Sequence, residues 1–85
     1  MKTLMMLLAK HEAPVISAEV CCKEYFPPLT LPVFMKKINA GEIPLPLIRM
    51  EPSQKGAKMV HLTDLAEYID QKREAAAKEL KAMGS

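Results

Sequence analysis

The sequence predicts a small α+β fold, about four helices with one β-hairpin, and three observations predict it. Two short helical segments meet at a tight turn marked by Pro27-Pro28, and the second is stopped by Gly41. Two strand-like runs, 47–50 and 58–62, then bracket a loop rich in turn formers. A helical segment follows them. Helix, turn, helix, hairpin, helix is the order of a winged helix-turn-helix domain.

The first helix is expected over roughly Thr3 to His11, with Leu4, Met5 and Leu8 at helical spacing. Lys10 and His11 lie where a helix end favours positive charge, and Pro14 forbids continuation. Although Lys2 precedes an apolar run, that run stops at Ala9, before Lys10, His11 and Glu12. It is short for a secretion signal and far too short for a membrane span, so it reads as a helix of the fold. Val15 and Ile16 suggest a very short strand or an extended link.

Ser17 is a good N-cap for a second helix over Ala18 to Phe26, with Glu19 in the first turn. Val20, Cys21 and Tyr25 are expected to face inward, and Lys23 and Glu24 to face water. Thr30 offers the next cap, and Pro32 falls in the first turn, where its missing N–H is harmless. Across 31–40, Leu31, Phe34, Met35 and Ile38 form one apolar stripe, leaving Val33, Lys36, Lys37 and Ala40 on the other side. Gly41 is placed for a left-handed stop.

Pro44 and Pro46 make 42–46 an extended stretch that cannot be a central strand. Pro52, Ser53 and Gly56 supply the turn chemistry of a hairpin tip over 51–57. Thr63 is expected to cap the last helix, docked through Leu65, Ala66 and Ile69. Beyond Gln71 the sequence is rich in helix formers and poor in core residues, with Ala76, Leu80 and Met83 as a thin apolar line. Residues 1–85 are therefore expected to form a single domain, with 74–85 an extended helical tail suited to oligomerisation.

Composition bounds the function. Of 85 residues, 49% are apolar, enough for one small core, and the formal net charge is only +2, so the arrangement of charge matters more than its sum. Cys21 and Cys22 are adjacent, with no CxxC partner, and read as two packed thiols of a reducing cytoplasm. His61, within an apolar strand, reads as a packed or hydrogen-bonded core histidine, and His11 as surface. Neither has ligands at metal-binding spacing, and no phosphate-binding or nucleophile motif is present. No cofactor, no metal and no enzymatic activity are expected.

What remains is nucleic acid. A helix of about ten residues is roughly 15 Å long and enters a major groove about 12 Å wide. Thr30 and Val33 lie toward the N-terminal end of 31–40, where base edges are usually met, with Lys36, Lys37 and Asn39 following. The hairpin carries three cations, Arg49, Lys55 and Lys58, against Glu51, while Ser53 and Gln54 add hydrogen-bonding groups. Either basic patch alone is ordinarily solvated surface. Both in this order point to double-stranded DNA, gripped at its phosphates and read in its grooves.

The stretches TLMMLLAKHEAPVISAEVCCKEYF and KKINAGEIPLPLIRMEPSQKGAKMVHLTDLAEYIDQKR resemble the pyocin activator protein PrtN family, over about Thr3 to Arg73. The resemblance implies a phage-related transcription activator at prophage or bacteriocin promoters, a bacterial, nucleoid-associated cytoplasmic protein with host RNA polymerase as a further partner. The shape is similar also to excisionase and MerR-type winged domains. A homodimer is expected, since so small a domain reads few base pairs alone. Two alternatives stay open: an excisionase-like architectural DNA-binding protein, and a phage-encoded protein-interaction module.

Overall fold

The computed structural model describes residues 2–51 and 57–84. Among these residues, four helices and a three-stranded antiparallel sheet make a small α+β fold of winged-helix-like form: α1 (Lys2–His11), β1 (Val15–Ser17), α2 (Ala18–Tyr25), α3 (Leu31–Asn39), β2 (Ile48–Arg49), β3 (Lys58–His61) and α4 (Leu62–Gly84). The expected hairpin is β2 with β3. The third strand comes from the segment left above as either strand or link.

The sheet order is β1-β3-β2, so β3 is central. Ile16 lies opposite Val60, and both are buried. Directly opposed residues of an antiparallel pair project to the same side, and every second residue shares that side. Lys58 and Arg49, opposite each other, therefore project from the face that carries Val60.

Local chemistry sets the helix ends. Ser17 Oγ accepts the Val20 amide at 3.1 Å, as an N-cap should. Thr30 holds the extended N-cap backbone, and its carbonyl accepts the Phe34 amide at 2.9 Å, but its hydroxyl makes no capping bond. Gly41 is left-handed at φ +80°. Its amide donates to the Ile38 carbonyl at 3.0 Å and that of Glu42 to Lys37 at 2.9 Å, the paired bonds of a Schellman stop. The last helix starts two residues earlier than expected, at Leu62. His61 rather than Thr63 caps it: the Thr63 amide donates to His61 Nδ1 at 3.0 Å.

The core gathers Leu7, Ile16, Cys21, Cys22, Phe34, Ile43, Leu45, Val60, Leu62 and Leu65, together with Ala18 and Ala66. Two inward faces differ from those the sequence suggested. In α1 the buried residue is Leu7, with Leu4 half-buried, while Met5 and Leu8 are exposed. The helix lies antiparallel along α4, tied by Thr3 Oγ1 to Asp70 Oδ1 at 2.7 Å at one end and by the Leu62 amide to the Pro14 carbonyl at 2.9 Å at the other. That docking turns the Leu4–Leu7–His11 side inward. In α2 the buried residues are Ala18, Cys21 and Cys22, whereas Val20 is exposed. His11 is half-buried, its Nε2 2.7 Å from the Tyr25 hydroxyl, rather than a free surface residue.

Burial of Cys21, then the neighbouring Cys22 and Glu24, pushes its thiol up to about 12, and burial also raises Cys22. The 42–46 link crosses the core without pairing. Ile43 and Leu45 turn inward and Pro44 and Pro46 outward, a strand-like alternation without a ladder. Phe26 closes the α2–α3 turn, its ring 4.7 Å from Phe34 and 5.4 Å from Tyr68.

Candidate nucleic-acid interface

The outer side of α3 presents Pro32, Val33, Lys36, Asn39 and Ala40 to solvent, while Phe34 anchors the helix from within at 0% exposure. Phe34 packs its ring, tilted by 42°, against that of Phe26 and fixes the rotation of α3 about its axis. Met35 and Ile38, on the flanks of the buried stripe, are half-buried, and Leu31 is exposed at the edge.

Beside Leu31 and Met35 lies the base of the hairpin. Ser17, Ala18 and Glu19 at the start of α2, Leu31 and Met35 of α3, and Ala57 and Lys58 leading into β3 line one open groove of about 320 Å³. The groove joins three segments far apart in sequence. It sets the Lys58 side of the hairpin against the N-terminal half of α3. Glu19 is the acidic member, at the first turn of α2, where the helix dipole favours an anion.

The cations are not equivalent. Lys36 is exposed. Lys37 is half-buried, with its Nζ 3.8 Å from Glu42 Oε1 across the Schellman turn. The two lysines, adjacent in sequence, thus leave α3 on different flanks, and among the described residues only Lys37 of the two has a carboxylate at ion-pair distance. Sequence reading treated them as a pair. The signal for their separation was the 100° step between neighbours, together with Glu42 just past the helix stop.

Arg49 and Lys58 are partners in the β2–β3 register, and Arg49 is exposed while Lys58 is half-buried. Like charges directly opposite on neighbouring strands destabilise a hairpin. Thr30 and Asn39 are exposed at the two ends of α3. Ser53, Gln54 and Lys55, at the expected hairpin tip, lie outside the described residues. Thr30, Val33, Lys36 and Asn39 thus share the outer part of α3, with Arg49 and Lys58 on the neighbouring hairpin and Lys37 set apart toward Glu42. Ser17, Glu19, Leu31 and Met35 were not anticipated at this site, because only the non-local β1–β3 pairing brings the start of α2 to the hairpin.

Among the described residues no group of three or more His, Cys, Asp or Glu is placed to hold a metal ion, and no helix is long and apolar enough to cross a membrane. A family model described as pyocin activator protein PrtN matches residues 3–76. No curated protein and no solved structure matches the chain.

Proposed function

Because the chain belongs to the pyocin activator protein PrtN family, we propose that it is a phage-related transcriptional activator that binds double-stranded DNA at promoters. Residues 31–40 are the recognition helix, entering the major groove, and 49–58 form the wing, which holds the backbone or minor groove alongside. Thr30, Val33, Lys36 and Asn39 are the residues nearest to bases, and Arg49, Ser53, Gln54, Lys55 and Lys58 hold phosphate. Lys37 contributes once it exchanges Glu42 for a phosphate. The protein acts by binding rather than by catalysis, in the bacterial cytoplasm and at the nucleoid. It works as a homodimer, with host RNA polymerase as its further partner. Residues 1–85 form one functional unit with 74–85 as its helical tail.

The observation that carries this reading is the opposition of Arg49 and Lys58. A free hairpin gains nothing from two cations placed across from each other, whereas a phosphate between them relieves the repulsion and forms two charge-assisted hydrogen bonds. The groove at the hairpin base adds support, since it puts Lys58 beside α3.

Fluorescence anisotropy of labelled duplex carrying the gene's own upstream sequence, titrated with protein from low to moderate salt, tests the proposal. Binding that weakens steeply with salt is expected, with a slope of about −0.9 per phosphate contact. Indifference to DNA at low salt overturns it and favours a protein-interaction module.

A further inference from the structure

Helix α4 continues well beyond the body. All residues from Asp70 to Gly84 are exposed, and the long dimension of the molecule is 52 Å against 29 and 18 Å in the other directions. The radius of gyration, 14.4 Å, exceeds the roughly 12 Å of a compact chain of this length. The projecting part ends in two large apolar side chains, Leu80 at 73% and Met83 at 84% exposure. No described residue of the same molecule covers them.

Where α4 leaves the body, an apolar groove of about 420 Å³ opens between the helix and the α2–α3 turn. Tyr25, Phe26 and Leu29 wall one side and Tyr68 and Ile69 the other. Its charged lining residue is Lys72, whose Nζ lies 5.5 Å from the centre of the Tyr68 ring. The opening is at the C-terminal end of α2, away from the DNA groove at its N-terminal end.

Projections and groove share one side of one helix. Residues 69, 72, 76, 79, 80 and 83 follow the three- and four-residue steps that bring side chains to a common face. Ala76 stands at the middle, with Ile69 two turns before it and Met83 two turns after. Lys72 precedes it by one turn, and Glu79 and Leu80 follow it by one. This face is complementary to itself when reversed, which is what a two-fold interface between identical chains requires.

We propose that two copies pair through antiparallel α4 helices crossing at Ala76, so that Leu80 and Met83 of each copy fill the Tyr25–Phe26–Leu29–Tyr68–Ile69 groove of the other and Glu79 of each meets the other's Lys72. This deepens the homodimer reading given above and rests on it. The axis sets Ile69 opposite the second copy's Met83 and Lys72 opposite its Leu80, with the second copy's Glu79 one residue away from that position. Ala75, Ala76 and Ala77 keep the crossing narrow, so the helices approach closely enough for the larger side chains to reach the grooves. Charge favours this occupant over an unrelated apolar segment, because the groove's lysine lies four residues before Ala76 and the helix's own Glu79 three after it, about one turn on either side. Both α3 faces stay open, since the contact uses the opposite end of α2.

The full-length protein, without DNA, is tested by sedimentation equilibrium from micromolar to several hundred micromolar. A reversible dimer is expected. Leu80→Asp with Met83→Asp should weaken it by more than about 50-fold without loss of helical circular dichroism, because both side chains are exposed in the single chain. Lys72→Glu and Glu79→Lys should each raise the dissociation constant by about 5- to 10-fold, and the double exchange should restore it. Under mild oxidation Ala76→Cys should form a symmetric cross-link far faster than Lys81→Cys. A protein that stays monomeric overturns both this pairing and the homodimer reading. A dimer that survives the aspartates, ignores the charge exchange, or cross-links no faster at residue 76 keeps the homodimer reading and overturns this interface alone.

Discussion

Arg49 and Lys58 face each other across the β2–β3 pair, two cations on one side of a two-residue strand. The arrangement separates what the hairpin needs to fold from what it needs to bind. Lys58→Glu converts the repulsion into an attraction, so the free protein should gain roughly 0.2–1 kcal/mol in chemical denaturation while DNA affinity collapses. Arg49→Ala and Lys58→Ala should each flatten the salt dependence of binding by about one phosphate contact and leave folding stability unchanged or slightly improved. Loss of stability in the alanine variants would show that the pair supports the fold rather than a ligand.

Lys36 and Lys37 should behave differently in the same binding assay. Lys36→Ala removes an exposed cation outright and should lower affinity by about tenfold, whereas Lys37→Ala removes one already partly neutralised by Glu42 and should cost about two- to threefold. Glu42→Ala should strengthen binding, since it releases Lys37 and deletes an anion near the interface. The Schellman stop survives this change because it uses only the Glu42 backbone amide.

Gly41 offers a clean measurement of backbone strain. A Cβ at this position would meet no atom within 4 Å, so any cost of Gly41→Ala comes from the left-handed conformation at φ +80° alone. The expected loss is about 1–2 kcal/mol in urea unfolding, with Gly41→Asn less damaging. A neutral alanine variant would mean that α3 can end in another conformation.

The Lys10–Glu24 pair ties α1 to α2 and predicts a pH response. The hydrogen bond from Lys10 holds the Glu24 carboxyl below its usual value, and the same bond raises Lys10. A carboxyl depressed in the folded state contributes stability above its unfolded value and loses it as pH falls through the folded one. Glu24→Gln should therefore lower the thermal midpoint slightly at neutral pH and leave less further loss between pH 5 and 3. The alkaline side is less selective. Lys10 loses its contribution as pH climbs through its raised value, and stability also declines between the ordinary thiol value of 9.0 and the folded value of about 12 for Cys21. The acid limb is the one to compare.

Much of the fold was legible because caps and breakers are local. Ser17, Pro14, Pro32 and Gly41 mark helix ends by chemistry that depends on only a few neighbours. The inward face of α1 was not legible, since Leu4, Met5, Met6, Leu7 and Leu8 are all apolar and periodicity cannot choose among them. The choice is made by α4, some sixty residues later in the chain. Similarly, His61 looked like a strand residue, and only the immediate start of α4 makes its ring a cap. The outward residues of α3 followed from the Leu31–Phe34–Met35–Ile38 stripe. The closeness of Lys58 to Leu31 and Met35 did not, because it depends on how β3 sits between β1 and β2.

Ser17 ends β1 opposite Met59 and at the same time caps α2 through its hydroxyl. One residue is thus a rung of the sheet and the fastening of a helix, while β3, its neighbour, also carries the hairpin. A load applied at the hairpin reaches that fastening through β3, so the seating of the hairpin and the seating of α2 are one linkage. Tension on one should be felt as loosened amides at the other.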